Sequence, residues 1–193
     1  MQRPHPTLSV LILTWLLIGC AGIPAVQAND IPSTTPPEKA EPTSVSRVVS
    51  NNPPADCPVT APQDPPYVPP EPYSPNSPFP ESFWYGTNSL WTLLPQSGMW
   101  TGLPHSSHGY GQKVFWWRGG YIWNEEPEPQ IAVTAERLDA PAPLFHSSVG
   151  TNAYDSDIGS AMLTGVTFPS LGCWKVTGEY RDAELRFVVW IAP

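Results

Sequence analysis

The chain has 193 residues, with 17 acidic side chains against nine basic ones and a net charge of −8. That balance argues against nucleic-acid binding, which depends on a basic patch or stripe, and an acidic surface of this kind serves solubility without naming a partner. With 27 prolines and nine tryptophans, the length accommodates one folded domain beside a long unfolded stretch.

The N-terminus reads as an address. Arg3 is followed by an apolar run from Leu8 to Ile18, broken only by Ser9 and Thr14. It falls short of the roughly 20 apolar residues that span a bilayer, and suits an export signal. Leu17-Ile18-Gly19-Cys20 then resembles the lipobox of bacterial lipoproteins, in which the cysteine is acylated and becomes the new N-terminus. Ile18 departs from the small residue common at that place. Val26-Gln27-Ala28 is a second cleavage site of the small-residue kind, and its use would release the chain. The lipobox is preferred, because a cysteine directly after the apolar run is hard to explain otherwise. Residues 1–19 are therefore expected to be a signal peptide, with Cys20 lipidated and membrane lipid as a partner. Either route takes the chain out of the cytoplasm.

Residues 21–80 hold 17 of the prolines, and Ser, Thr, Asn, Glu and Ala fill most of the rest. Such a stretch buries too little apolar surface to offset its ordering entropy. Residues 20–54 are expected to be a disordered, extended tether. From Cys57 onward Tyr67, Tyr73, Phe79 and Phe83 appear among the prolines, which sets the domain boundary at 55 and assigns 55–193 to the folded part. With Cys20 acylated or removed, Cys57 and Cys173 remain as an even pair in an oxidising compartment. A disulfide is the expectation; no further metal ligand sits near either.

Beyond residue 80, short β-prone runs are cut by glycine and proline. Ile131, Val133 and Ala135 share one face, as do Met162, Thr164, Val166 and Phe168 further on. Trp174, Val176, Gly178 and Tyr180 alternate inward, and Leu185, Phe187, Val189 and Ile191 repeat the pattern after the polar link Arg181–Glu184. No segment carries a sustained helical period. The fold class is all-β, an immunoglobulin-like antiparallel sandwich. If Trp174 points inward Cys173 points outward, so the bridge would staple the proline-rich segment to the outside or rim of the sandwich.

An ordered set of motifs runs through the same region: Phe83-Trp84-Tyr85-Gly86, Leu90-Trp91-Thr92, Trp116-Trp117-Arg118, Arg137-Leu138-Asp139-Ala140-Pro141, and Gly172-Cys173-Trp174 with Val176-Thr177-Gly178. It resembles a group of exported bacterial proteins whose C-terminal part reads Gly-Cys-Trp-Glu-Val-Thr-Gly, with Lys175 here in place of the acid. The resemblance spans about residues 55–192. It implies a secreted or anchored β domain and an early cysteine paired with the late one, and it brings no activity.

Candidate sites are few. Eight tryptophans follow the signal, and adjacent Trp116 and Trp117 on a strand would face opposite ways. Trp116, Trp117 and Trp123 are the candidates for stacking on sugar rings, although burial in the core is the commoner fate of indole. Lys113 and Arg118 flank the tryptophans and could make cation–π contacts. His105 and His108 lie in a Gly/Pro/Ser loop without a third ligand, and Asp155 and Asp157 read as a turn. Glu125, Glu126 and Glu128 read as a solvated hairpin tip. No Gly-x-Ser-x-Gly elbow is present. The expectation is a non-catalytic, membrane-anchored surface protein without a cofactor, binding a glycan or an envelope protein or serving envelope structure. A carbohydrate-binding module and an envelope hydrolase or its accessory subunit are the alternatives.

Overall fold

The computed structural model describes residues 51–73 and 79–193. The expected signal peptide, Cys20 and nearly all of the 20–54 tether lie outside the described residues. Within them the chain forms eleven strands and no α-helix. One sheet runs in the order β1 (Ser82–Thr87), β2 (Leu90–Pro95), β5 (Gly109–Trp117), β9 (Gly159–Phe168), β8 (Gly150–Asp155), with β4 (His105–Ser106) also on β5. The other runs β3 (Met99–Trp100), β11 (Ala183–Ile191), β10 (Gly172–Tyr180), β6 (Ala132–Arg137), β7 (Phe145–Ser147). All pairings are antiparallel except β3 on β11.

This is the immunoglobulin-like arrangement. Strands β2, β5, β9 and β8 occupy the A, B, E and D places of one sheet, and β6, β10 and β11 the C, F and G places of the other. The first strand switches sheets: β2 pairs with β5 only through Trp91 and Thr92, and the chain then crosses to lay β3 beside β11. The alternating faces read from the sequence meet between the sheets. Val133, Ala135, Met162, Val166, Phe168, Trp174, Val176, Phe187 and Ile191 are all buried in one cluster.

Antibody domains bridge their B and F strands with a disulfide. Here the Trp116 ring of β5 lies on the backbone of β10 at Gly178, where an added Cβ would come within 2.5 Å of Trp116 Cζ3. The indole N–H donates to Thr164 Oγ1 at 2.9 Å, so the ring is held by polar contact as well as packing. Glycine is required at 178 by this close approach.

The link between β10 and β11 is tighter than the four polar residues suggested. Tyr180 pairs directly with Ala183, leaving a two-residue turn of Arg181 and Asp182. Arg181 takes a left-handed φ of 55°, which lets the chain reverse so sharply. Ala183, read as part of the link, is buried as the first residue of β11.

The proline-rich segment ahead of β1 is part of the fold. Cys57 is disulfide-bonded to Cys173, whose side chain lies on the outer face of the second sheet. Cys57 and Val59 pack there with Trp190, Met99 and Val188. The Thr60 amide donates to Val188 O at 2.9 Å, and its hydroxyl accepts from Val188 N at 2.8 Å. The expected stapling of this segment to the outside of the sandwich is thus what the chain does. Further on, Gln63 Oε1 accepts from Gly86 N, and Tyr67 and Tyr73 cover Trp91 with ring centroids 6.2 and 5.4 Å away. The Tyr73 hydroxyl donates to Ser160 O at 3.0 Å. A second aromatic cluster of Trp84, Trp91 and Trp117 therefore sits on the outer face of the first sheet, beneath this strap.

The motifs Arg137–Pro141 and Gly172-Cys173-Trp174 meet in space. Asp139 Oδ1 accepts from Arg137 Nε at 2.8 Å and from Cys173 N at 3.1 Å, while Arg137 Nη1 donates to Ser170 Oγ. Burial alone would raise the Asp139 carboxyl, but the hydrogen bonds from Arg137 and Cys173 N and the Arg137 charge hold it below its ordinary 3.8. Its stabilisation is therefore full above that value and is lost as the pH falls through the lowered one. Asp139→Asn is expected to cost about 1–3 kcal/mol at neutral pH, and to flatten the acid limb of stability measured by urea unfolding below pH 4.

Candidate binding site

The connection from β5 to β6 bridges both sheets at one end of the sandwich. Gly119 and Gly120 let the chain leave β5, and the Tyr121 hydroxyl donates to Glu126 O at 2.9 Å, closing the loop on itself. On one side Asn152 of β8 holds it: its amide N donates to Pro127 O and its Nδ2 to Trp123 O. On the other side Glu126 Oε2 accepts from the Tyr180 hydroxyl at 2.5 Å and from Arg181 Nη2 at 2.8 Å. Glu126 is thus a fixed node of the fold, which corrects its reading as a solvated hairpin tip.

Between this loop and the β10–β11 turn lies a cavity of about 210 Å³, walled chiefly by Arg118, Tyr121, Ile122, Glu125, Tyr180 and Arg181. Two guanidinium groups flank the Tyr180 ring, Arg181 at 5.0 Å and Arg118 at 5.7 Å from its centroid. The cation–π contact expected of Arg118 is therefore made with Tyr180. Burial, then the Glu126 hydrogen bond and charge, push the Tyr180 phenol up to about 12, and burial with the Glu126 charge does the same for Tyr121. Their contribution to stability is full below pH 10 and lost as the pH rises towards 12. An alkaline titration followed by circular dichroism should show unfolding in that window, and the Tyr180→Phe variant should shift less.

Trp116 and Trp117 do face opposite sides of β5, but both are fully buried. Trp116 fills the space between the sheets, and Trp117 lies edge-on to Trp84, with its N–H donated to Ile158 O. Neither offers a face to a sugar, which corrects the stacking role drawn for them: the inter-sheet core takes Trp116, and Trp84 and Phe115 pack on Trp117. Trp123 alone of the eight is open, 38% exposed and stacked on Tyr154 at 5.6 Å and 27°. His105 lies over Tyr110 and His108 Nδ1 pairs with Ser107 Oγ, each engaged separately. Asp155 Oδ1 accepts from Asp157 N in the β8–β9 turn. Among the described residues no three His, Cys, Asp or Glu side chains converge as a metal site.

A second cavity, of about 260 Å³, opens where β2 parts from β5 and is lined largely by Phe79, Leu93, Trp100, Lys113 and Phe115. Its walls are mainly apolar. The polar end of the sandwich escaped sequence reading because Glu126 and its partners are 54 and 55 residues apart. The one local signal was Gly119-Gly120 followed by Pro127 and Pro129, which marks a loop but not what it touches. No family model, curated protein or solved structure matches this chain.

Proposed function

We propose that the chain is a non-catalytic surface lipoprotein, acylated at Cys20, that displays its immunoglobulin-like domain for binding through the β5–β6 and β10–β11 end. The observation that carries this reading is the placement of the polar cavity. It lies between the B–C and F–G connections, the end at which variable domains carry recognition loops. Burial of seven of the eight tryptophans supports a scaffold role for indole. Of the two cavity carboxylates, Glu126 binds Tyr180 and Arg181 through one oxygen and so holds the loop. The covalent Cys57–Cys173 bond agrees with an oxidising compartment, and the proline-rich stretch 20–54 would hold the domain away from the membrane.

The test is detergent-phase partition of the full chain and its Cys20→Ser variant in a bacterial host. The wild-type chain should follow the membrane fraction and take up labelled palmitate, and the variant should lose both. Equal partition of the two, or no acyl label on the wild type, would overturn the anchor.

A further inference from the structure

We propose that the cavity takes the carboxylate of an acidic sugar unit, held by Arg118; this names a ligand class for the binding site above and rests on that reading. The unspent donors of the cavity belong to Arg118, and such donors call for an acceptor. Glu126 Oε2 already receives two donors. Arg118, only 24% exposed, spends a single N–H on Asp182 Oδ1 at 3.2 Å. Its other N–H groups make no hydrogen bond among the described residues, and the guanidinium lies over the Tyr180 ring. Asp182 is 84% exposed at the tip of the turn, so a ligand that displaces it returns that carboxylate to water at little cost.

A planar guanidinium with free adjacent donors matches a carboxylate in two-point contact. The cavity volume of about 210 Å³ is below that of drug-sized pockets and suits one ring. The surface lining the cavity is mainly polar, which suits a hydroxyl-rich ring, and the Glu125 carboxylate on the same wall would accept from ring hydroxyls. Directly after Ile122 the loop presents Trp123, stacked on Tyr154, both open to solvent. That is an aromatic face for a neighbouring ring of an oligosaccharide.

The experiment is calorimetric titration of the full, detergent-solubilised, disulfide-intact chain with trigalacturonate and with its carboxyl-reduced neutral counterpart. The acidic trimer should bind at least about tenfold more tightly, the range of one charge-assisted contact. Arg118→Gln should remove that difference, while Arg186→Gln, on the exposed Glu184 pair, should leave it. Asp182→Asn should tighten binding, because it removes the competing carboxylate. Trp123→Ala should weaken the trimer and leave galacturonate monomer unchanged. Equal binding of the two trimers, no heat at millimolar ligand, weaker binding by Asp182→Asn, or preference for a peptide C-terminal carboxylate would each overturn the proposal. Binding of the neutral trimer or of a peptide carboxylate that is lost in Arg118→Gln would overturn the acidic sugar and keep this end as the binding site, whereas no heat with any of the ligands would count against the end itself.

Discussion

Trp116→Ala is expected to destabilise the domain by about 3–5 kcal/mol, the usual range for emptying a large aromatic site in a core. The indole is fully buried, packs near Phe187 at 5.8 Å between centroids, and lies on the β10 backbone at Gly178. Its removal leaves a cavity bounded by two sheets that are tied to each other and collapse poorly, and it orphans the Thr164 hydroxyl. Against a typical domain stability of about 5–15 kcal/mol, the loss should lower the melting temperature by roughly 10 °C. Gly178→Ala tests the same contact from the opposite side. A Cβ there meets Trp116 ring atoms at 2.5 and 2.6 Å, and overpacking of this kind costs about 1–3 kcal/mol. The two effects should fail to add in the double variant Trp116→Ala with Gly178→Ala, because the first makes the room that the second needs. Additive losses would show that the ring and the backbone are not in contact.

Loss of the Cys57–Cys173 bridge has the other large expected effect. The bond joins positions 116 residues apart, and the chain-entropy account assigns a closed loop of that length about 4–5 kcal/mol. More than a crosslink is at stake. The bridge pins the start of the strap, so its loss should also loosen Val59 and Thr60 from Val188 and open Trp190 to solvent. Urea unfolding of the oxidised chain and of the Cys57→Ser, Cys173→Ser pair should differ by several kcal/mol. The reduced form should show a red-shifted tryptophan emission before global unfolding. Coincident curves for the two forms would mean that the strap is held by its own contacts alone.

The strap also explains which strands were legible. On β6 and β10 the inward residues alternate with polar or small neighbours, and on β9 and β11 they do so except at Leu163, Val188 and Trp190, the last two lying under the start of the strap. On β2 and the end of β5 the alternation vanishes. Leu90 and Leu94 point into the sandwich, while Trp91 and Leu93 point out, and both sets are apolar because Tyr67 and Tyr73 cover the outer face. A strand covered on both faces reads as a continuous apolar run, without a period. Trp117, a candidate platform in the sequence, is a core residue because Trp84, Phe115 and the Ile158 carbonyl enclose it. The cost of the cover is visible at Trp91, whose N–H is buried without a hydrogen-bond partner among the described residues. The outward direction of Cys173 was legible because it follows from alternation alone. The polar cavity was not: Arg118, Glu126 and Arg181 meet only through the closure of the two sheets, and no local pattern encodes a contact of that separation.

The proposed acylation at Cys20 and the Cys57–Cys173 bridge can be tested together. Intact mass of the protein purified from a native membrane fraction, alkylated before and after reduction, tests both most directly. The account predicts a chain beginning at Cys20 with acyl groups attached, no thiol alkylated before reduction and two alkylated after. A lipid-free chain beginning at Asn29, or two thiols alkylated without reductant, would contradict it.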